Sequence, residues 1–317
     1  MIRPAYETDL YRPPRPDVPA GGRSCFTIVD GRQVHYLEWG SPRHGTVVAL
    51  HGGGQSAYMF EELGAALGAR FHVVAPDLPE HGDSDALLDG DWGRYGLARS
   101  VLAFLAELGI DRGAFVGASV GGITSITVGA LAPAVVDALV LIDVAPRMEA
   151  AGRERLIEFF TKADSFASLE EAALAITEYL PFRKNVRPEN LARSLRQTPD
   201  GRWVWKHGLG RRQKLTDQQA PHIGTAIDPI LEGLDDDART LTCPTLILRG
   251  AKSDLVTEEA AVELADSLQR AEVATVGAAG HMAVGDNPAT SISLIGEFLT
   301  RHPPRRAGPA WATISGD

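Results

Sequence analysis

The sequence has very few cysteines and no long apolar run. Only Cys25 and Cys243 occur among 317 residues, and two isolated cysteines make neither a disulfide framework nor a metal site. We interpret both as buried thiols of a reducing compartment. No apolar run approaches the roughly 20 residues of a membrane-spanning helix, and the charged, proline-rich start lacks the apolar stretch of a signal peptide. These absences predict a soluble, cytoplasmic protein without a membrane partner.

Positive charge and cofactor motifs are also scarce. The formal net charge is −10, from 31 Lys and Arg against 41 Asp and Glu, whereas nucleic-acid-binding domains usually carry a basic footprint. The nine histidines are scattered without the H-E-x-x-H spacing of zinc enzymes, and neither a phosphate loop nor a G-x-G-x-x-G motif is present. The sequence therefore predicts no nucleic-acid partner, no metal and no cofactor. It leaves the oligomeric state open.

What the sequence does contain is an alternation of short apolar runs with helical patterns. The runs are apolar at every position, which suits strands that helices cover on both faces. They comprise Thr46–Leu50, Phe71–Ala75, Ala114–Gly117, Leu139–Ile142, Thr245–Leu248 and Glu272–Val276. An Asp30-Gly31 turn signal near the start predicts an antiparallel hairpin. The whole pattern predicts an α/β fold, with one mostly parallel, twisted sheet flanked by helices.

One long stretch, residues 147–240, interrupts this alternation. It contains no apolar strand run, and periodic segments such as Leu169–Leu180 have helical spacing. An insertion of this kind predicts a helical cap over the carboxyl edge of the sheet, where ligands of α/β proteins bind. The predicted organisation is therefore an N-terminal extension (1–22), an α/β core (23–146 and 241–301), the helical cap (147–240) and a C-terminal tail (302–317).

The most specific motif is G-x-S-x-G over residues 117–121. It follows an apolar strand run and precedes a helical segment, which is the context that a nucleophile elbow requires. A strained turn there lifts the hydroxyl of Ser119 to the upper edge of the sheet. The adjoining helix N-terminus favours the negative charge that develops in acyl transfer. The motif therefore predicts Ser119 as a nucleophile.

In this context the chain resembles the α/β-hydrolase superfamily, from about Phe26 to Thr300. The catalytic residues of that family occur in the order nucleophile, acid, base. His281 lies in the loop after the last apolar run, where the family places its base. The resemblance therefore implies a Ser-His-Asp triad in which His281 activates Ser119.

The resemblance offers two candidates for the acid that orients His281. Asp254 is the favoured one, because it follows a strand run and a turn beginning at Gly250 that resembles the family's G-x-x-D turn. Asp143 is the alternative, since it closes another strand run and some family members place their acid there. Pro146 stiffens the chain that leads into the cap, so Asp143 also fits a residue that anchors the cap hinge.

Two backbone amides are predicted to form an oxyanion hole. The glycine-rich segment after Leu50 resembles the family's oxyanion loop, and by that resemblance Gly53 and Val120 supply the N–H donors. Each such donor typically contributes about 3 kcal/mol of transition-state stabilisation. His51 is expected to brace this loop. The segment 77–84 resembles the family's D-x-P-G-x-G-x-S loop, with Glu80 in place of the usual glycine, and is assigned a supporting role.

Aromatic and basic residues of the cap bear on the substrate. Trp203 and Trp205, together with Met282, are predicted to bind substrate in an apolar pocket, although packing within the cap explains the tryptophans equally well. Residues 183–214 contain ten bases and two acids, which gives this stretch a charge of +8. Either this charge attracts an anionic ester, or it belongs to a solvated cap face that pairs with an acidic body, which is the usual role of charge runs.

The sequence thus predicts a serine hydrolase that cleaves a small-molecule carboxylic ester, an aromatic or carboxylate-bearing monoester included, through an acyl-enzyme. Two alternatives stay open. Cofactor-free C–C bond hydrolases of aromatic degradation share the fold and the triad, but often carry an aromatic residue where this chain has Met282. Some members of the fold are non-catalytic ligand-binding proteins, and fold alone does not separate these functions.

Overall fold

The computed structural model describes residues 21–87, 91–162, 165–183, 186–207 and 230–306. Its strands, in chain order, are β1 (Arg23–Val29), β2 (Arg32–Trp39), β3 (Thr46–Leu50), β4 (His72–Pro76), β5 (Gly113–Ala118), β6 (Val136–Ile142), β7 (Ser165–Phe166), β8 (Leu195–Gln197), β9 (Trp203–Trp205), β10 (Thr245–Gly250) and β11 (Ala271–Val276). Its α-helices are α1 (Glu61–Leu67), α2 (Arg94–Glu107), α3 (Val120–Leu131), α4 (Ala150–Lys162), α5 (Leu169–Tyr179), α6 (Pro188–Leu191), α7 (Leu234–Arg239), α8 (Glu258–Ser267), α9 (Ala283–Asp286) and α10 (Pro288–Arg301). The predicted N-terminal extension and C-terminal tail fall largely outside the described residues.

The central sheet has eight strands in the order β1-β2-β4-β3-β5-β6-β10-β11. Strand β2 pairs antiparallel with β1 and β4, and the other neighbouring strands pair in parallel. The predicted mostly parallel sheet is thereby confirmed. In the hairpin between β1 and β2, Asp30 and Gly31 have φ angles of 49° and 76°. This left-handed pair is what a type I′ turn needs and what an Asp-Gly dipeptide favours.

The sheet buries apolar side chains on both of its faces. Every residue of β3 and β4 is buried, and successive side chains point to opposite faces. Val48 packs into a cluster that includes Phe104 of α2, whereas the adjacent Val47 packs into a second cluster that includes Phe298 of α10. Helices on both faces explain why these strands are unbroken apolar runs in the sequence.

The insertion after β6 is helical only in part. It contains α4, α5 and α6, but also a small antiparallel sheet in the order β7-β9-β8. Strands of two or three residues are too short for a periodic pattern to reveal them. Phe166, Leu195 and Trp205 of this sheet pack with Ala172 and Ile176 of α5 into a core that belongs to the cap alone.

The last residues of the predicted cap pack in the main core. Leu234 and Ala238 of α7, and Leu241 after it, are buried in the main core and not in the cap. The chain has therefore returned to the α/β core by residue 234, within the range 147–240 that was predicted for the cap.

Candidate active site

Ser119 lies in a strained turn between the end of β5 and the start of α3. Its φ of 48° and ψ of −118° fall outside the regions that L-residues commonly occupy, as a nucleophile elbow requires. The flanking glycines are needed for space. A Cβ on Gly121 would collide with the carbonyl oxygen of Leu50, and one on Gly117 would collide with the carbonyl oxygen of Gly121. The turn thus packs β5, α3 and the end of β3 tightly around the serine.

The neighbouring strand brings Asp143 to the same edge of the sheet. The N–H of Ser119 donates to the carbonyl oxygen of Ile142 (3.1 Å), the residue before Asp143. Asp143 is fully buried and has a φ of 51°. Its Oδ2 lies 2.7 Å from Nδ1 of His281, in the loop after β11. Because a carboxylate only accepts hydrogen bonds, we assign the ring proton to Nδ1, which leaves Nε2 as an acceptor.

The structure contradicts the preference for Asp254 as the partner of His281. Asp254 instead forms an ion pair with Arg155 of cap helix α4 (2.7 Å), and 33% of its side-chain surface is exposed. The reason is spacing: in a G-x-x-D turn counted from Gly250, the fourth residue is Ser253. Asp254 therefore lies one residue too far along the chain. Asp254 thus pairs with the cap, whereas the hydrogen bonds found for Asp143 in the described chain go to Gly250, Ser253 and His281.

Ser253 was missed by the sequence analysis, although the same count from Gly250 leads to it. Its hydroxyl donates to Oδ2 of Asp143 (2.5 Å), and the N–H of Gly250 donates to Oδ1 (3.1 Å). The Ser253 oxygen in turn accepts the N–H groups of Leu255 and Val256, which fixes the hydroxyl. With the histidine, the carboxylate receives three hydrogen bonds, as a buried charge requires.

Two of the three glycine amides in the loop after β3 already have hydrogen-bond acceptors within the protein. The N–H of Gly52 donates to Oε1 of Gln55 (3.0 Å), and that of Gly54 donates to Nε2 of His81 (3.1 Å). The hydrogen bonds among the described residues include none from the N–H of Gly53. Val120 is the first residue of α3, so its N–H has no partner within the helix. These are the two amides that the sequence analysis assigned to the oxyanion hole.

His51 connects this loop to the segment 77–84. Its Nδ1 donates to the carbonyl oxygen of Gly52 (2.8 Å), and its Nε2 accepts the N–H of Leu78 (2.9 Å). Burial lowers the pKa of His51, so the ring stays neutral and keeps its acceptor. The prediction that His51 braces the loop is confirmed.

His81 is a second brace of the loop, which the sequence analysis missed. Its Nδ1 donates to the carbonyl oxygen of Pro79 (2.9 Å), while Nε2 accepts the N–H of Gly54. Burial, and after it the neighbouring His51 and His207, lowers the pKa of His81 well below its ordinary value. A neutral ring is needed here, because a protonated Nε2 has no lone pair to offer Gly54.

The rest of segment 77–84 is supporting structure, as predicted. The buried carboxylate of Asp77 lies 2.6 Å from Nδ1 of His35 and accepts the N–H of Ala57 at 2.6 Å. Although burial opposes ionisation, the hydrogen bond and charge of His35 lower the pKa of Asp77. Glu80 has a φ of 58°. This left-handed conformation explains why the family usually has a glycine at its position.

Known proteins share the fold of this chain. A family model for the alpha/beta hydrolase fold matches residues 45–288. The chain belongs to the α/β-hydrolase family. It is 29% identical to Esterase Rv0045c of Mycobacterium tuberculosis, over 84% of this chain and 86% of that protein. It is 24% identical to a 3-hydroxybutyrate-oligomer hydrolase of Cupriavidus necator, over 87% and 96% of the two chains. A solved alpha/beta hydrolase of Novosphingobium aromaticivorans matches with a TM-score of 0.73 and 26% identity, over 89% of this chain and 99% of that one.

The cap of this α/β hydrolase packs most of its aromatic residues on one another. Trp205 is buried, meets Phe166 edge to face with ring centroids 5.5 Å apart, and stacks on His207 at 5.5 Å. Trp203 is half-buried against the same cluster. Packing within the cap therefore accounts for the position of Trp205, and substrate contact by Trp203 and Trp205 stays a prediction.

Two other side chains lie next to the loop that carries His281. Met282 follows His281 directly, and its sulfur accepts a hydrogen bond from Nε2 of Gln55 (3.2 Å). Phe182 comes from the cap, and its ring edge is 2.9 Å from the point that a Cβ on Gly280 would occupy. Contact between Met282 and the substrate thus stays a prediction. Phe182 is an aromatic residue of the cap that lies against the same loop.

Two bases of the basic stretch of the cap pair with carboxylates of the core. Lys206 lies 3.2 Å from a carboxylate oxygen of Asp83. Arg193 pairs with Glu61, and its guanidinium lies 4.9 Å from the ring centre of Tyr58. Four of the ten bases lie outside the described residues, namely Lys184, Arg211, Arg212 and Lys214. The observed pairs support a cap face that binds an acidic body.

The described residues also bear on possible metal sites, membrane helices and reactive cysteines. No group of three or more His, Cys, Asp or Glu there has an arrangement that could hold a metal ion, and no helix there is long and apolar enough to cross a membrane. Cys25 and Cys243 are unpaired and half-buried. Burial raises the pKa of both thiols, so they are protonated and poorly nucleophilic at neutral pH.

Proposed function

We propose that this α/β hydrolase cleaves small-molecule carboxylic esters with a triad of Ser119, His281 and Asp143. The observation that carries the proposal is the 2.7 Å hydrogen bond between buried Asp143 and Nδ1 of His281, at the edge of the sheet where Ser119 occupies its strained turn. The names of two relatives, an esterase and a 3-hydroxybutyrate-oligomer hydrolase, support ester cleavage as the reaction.

In the first half of the reaction, the oxygen of Ser119 attacks the ester carbonyl carbon while Nε2 of His281 takes the hydroxyl proton. Asp143 keeps the imidazole in the tautomer that can accept this proton, and its charge stabilises the imidazolium that forms. His281 then gives the proton to the departing alkoxide. The alcohol leaves, and Ser119 carries the acyl group as an ester.

In the second half, a water molecule gives a proton to His281 and attacks the acyl-enzyme, and the carboxylic acid leaves as Ser119 recovers its proton. In both halves the carbonyl oxygen becomes an oxyanion. We assign the N–H groups of Gly53 and Val120 to this charge, because the amides of Gly52 and Gly54 donate elsewhere. Such donors act strongly because they are fixed in place before the charge develops.

A panel of esters, thioesters, lactones and vinylogous diketones, compared by kcat/KM, tests this proposal. We expect the highest values for esters and no turnover of them by a Ser119→Ala variant. Faster cleavage of the vinylogous diketones would assign the protein to the C–C bond hydrolases instead. Labelling of Ser119 by a fluorophosphonate, without turnover of any substrate, would indicate a ligand-binding role.

A further inference from the structure

Gln55 lies between the glycine-rich loop and the nucleophile. Its Oε1 accepts the N–H of Gly52 (3.0 Å), and its own backbone N–H donates to the carbonyl oxygen of Gly52 (3.2 Å). A Cβ placed on Gly52 would lie 2.7 Å from Oε1 of Gln55 and 3.4 Å from Cβ of Ser119. The carboxamide and the catalytic serine thus flank the same glycine, and the carboxamide lies directly beside the site.

The other end of the carboxamide reaches the histidine loop. Nε2 of Gln55 donates to the sulfur of Met282 (3.2 Å). Met282 is itself held in place, because its carbonyl oxygen accepts the N–H groups of Gly285 (2.8 Å) and Asp286 (2.9 Å). Asp286 closes the loop on the other side by accepting the N–H of Gly280 (2.8 Å). Gln55 therefore binds a loop whose shape is already fixed by its own hydrogen bonds.

We propose that Gln55 is a positioning residue that holds the oxyanion loop and His281 at a fixed separation. The inference rests on the proposed function, in which the Gly53 amide and His281 act on one tetrahedral intermediate from two different loops. Within the described chain, no second hydrogen bond joins residues 51–56 to residues 280–286. A displacement of about 1 Å between such groups lowers rates by about 100-fold, so this link matters for rate more than for folding.

Three variants separate the two ends of the link. Gln55→Ala removes both hydrogen bonds. Gln55→Glu keeps an acceptor for the Gly52 amide but has no N–H for Met282, and Met282→Leu removes only the sulfur acceptor. Gln197→Ala is the matched control, because Gln197 also donates from Nε2, to the carbonyl oxygen of Gly201 (3.0 Å), but on the exposed surface of the cap.

We expect Gln55→Ala to lower kcat about 10- to 100-fold with little change in KM, by the same factor for short and long acyl esters. Gln55→Glu and Met282→Leu should lower kcat by smaller factors. The double variant Gln55→Ala/Met282→Leu should be no slower than Gln55→Ala, because both changes break one link. Gln197→Ala should have wild-type kinetics.

A second measurement detects the hydrogen bond between Gln55 and Met282 without an activity assay. The chain has four methionines, so ¹³C-methyl spectra are simple, and the Met282 signal is the one that Met282→Leu removes. Gln55→Ala should shift this signal and leave the other three unchanged, at an unchanged Tm. A general change of the spectrum would show a misfolded variant, and Gln55→Glu then carries the test.

The inference is overturned if a folded Gln55→Ala variant keeps the wild-type kcat, or if the effects of Gln55→Ala and Met282→Leu multiply. A loss confined to one ester would show that Gln55 contacts substrate instead. Ser119→Ala, measured in parallel, separates this inference from the proposed function. If that variant is inactive while Gln55→Ala is fully active, only the positioning role of Gln55 fails. If that variant is fully active, the proposed function fails and the inference with it.

Discussion

The edge of the sheet and the cap hold their side chains in different ways. At the edge, Asp143 receives hydrogen bonds from a serine, a backbone amide and His281, which lie at the end of β10 or in the loops after β10 and β11. In the cap, Trp205 packs into a small separate core, and Lys206 reaches the main body through an ion pair. Ion pairs near the surface contribute about 0–1 kcal/mol. The positions of the side chains at the edge are therefore fixed by hydrogen bonds. The cap is held more weakly, so we expect it to adjust to the substrate.

The largest effect at the edge is expected from Ser119→Ala. This variant should lose a factor on the order of 10⁴–10⁶ in kcat, because it lacks the nucleophile. Its free energy of unfolding should hardly change, since the turn is strained with either residue. Steady-state kinetics and a Tm measurement check both points. Retention of more than about a tenth of the wild-type rate would show that Ser119, at the edge of the sheet, is not the nucleophile.

A substitution at Ser253 should restore activity to a variant that lacks the Asp143 carboxylate. In an Asp143→Asn background, Ser253→Asp should recover about 10- to 100-fold in kcat, because residue 253 has the G-x-x-D spacing and already contacts residue 143. Lys252→Asp in the same background is the control, since Lys252 is exposed. Equal rates for the two double variants would show that residue 253 has no access to His281.

The buried braces of the oxyanion loop predict a dependence of stability on pH. The pKa of His81 is lowered well below 6.5 by burial, so below that pH the unfolded chain binds a proton that the folded chain does not. The free energy of unfolding should therefore fall as the pH drops below about 6.5, with a slope of up to about 1.4 kcal/mol per pH unit from this residue. Denaturant unfolding at several pH values measures the slope, and His81→Gln should reduce it. An unchanged slope would argue against a neutral, buried His81.

The smallest effect is expected at the cap. Since Arg193 and Lys206 are paired with carboxylates of the core, their charge is not available to attract an anionic ester. Raising the salt concentration from about 0.05 to 0.5 M should change kcat/KM for an acidic monoester and for its neutral diester by factors that agree within about twofold. A selective loss for the monoester would restore charge attraction as a role of the cap.

The sequence predicted the edge better than the cap for physical reasons. The buried strands are apolar along most of their length, and the motif around Ser119 is local, so both were readable. The count from Gly250 could have excluded Asp254, because it ends on Ser253. That Asp143, at the end of β6, reaches His281 in the loop after β11 was not readable, because these segments are far apart in the sequence. Likewise, nothing local distinguishes Trp205, which packs inside the cap, from Phe182, which lies against the histidine loop. The positions of Trp205 and Phe182 depend on contacts between distant segments of the chain.

The central claim is that Asp143 orients His281. A comparison of kcat between the variants Asp143→Asn and Asp254→Asn tests it most directly. Asp143→Asn should lower kcat by about four orders of magnitude, because an amide at this position selects the wrong histidine tautomer. Asp254→Asn loses only an ion pair with Arg155, so we expect a change of less than about threefold. Both variants should be shown to be folded by circular dichroism. The opposite order of damage, with Asp254→Asn nearly inactive and Asp143→Asn close to wild type, would contradict the account.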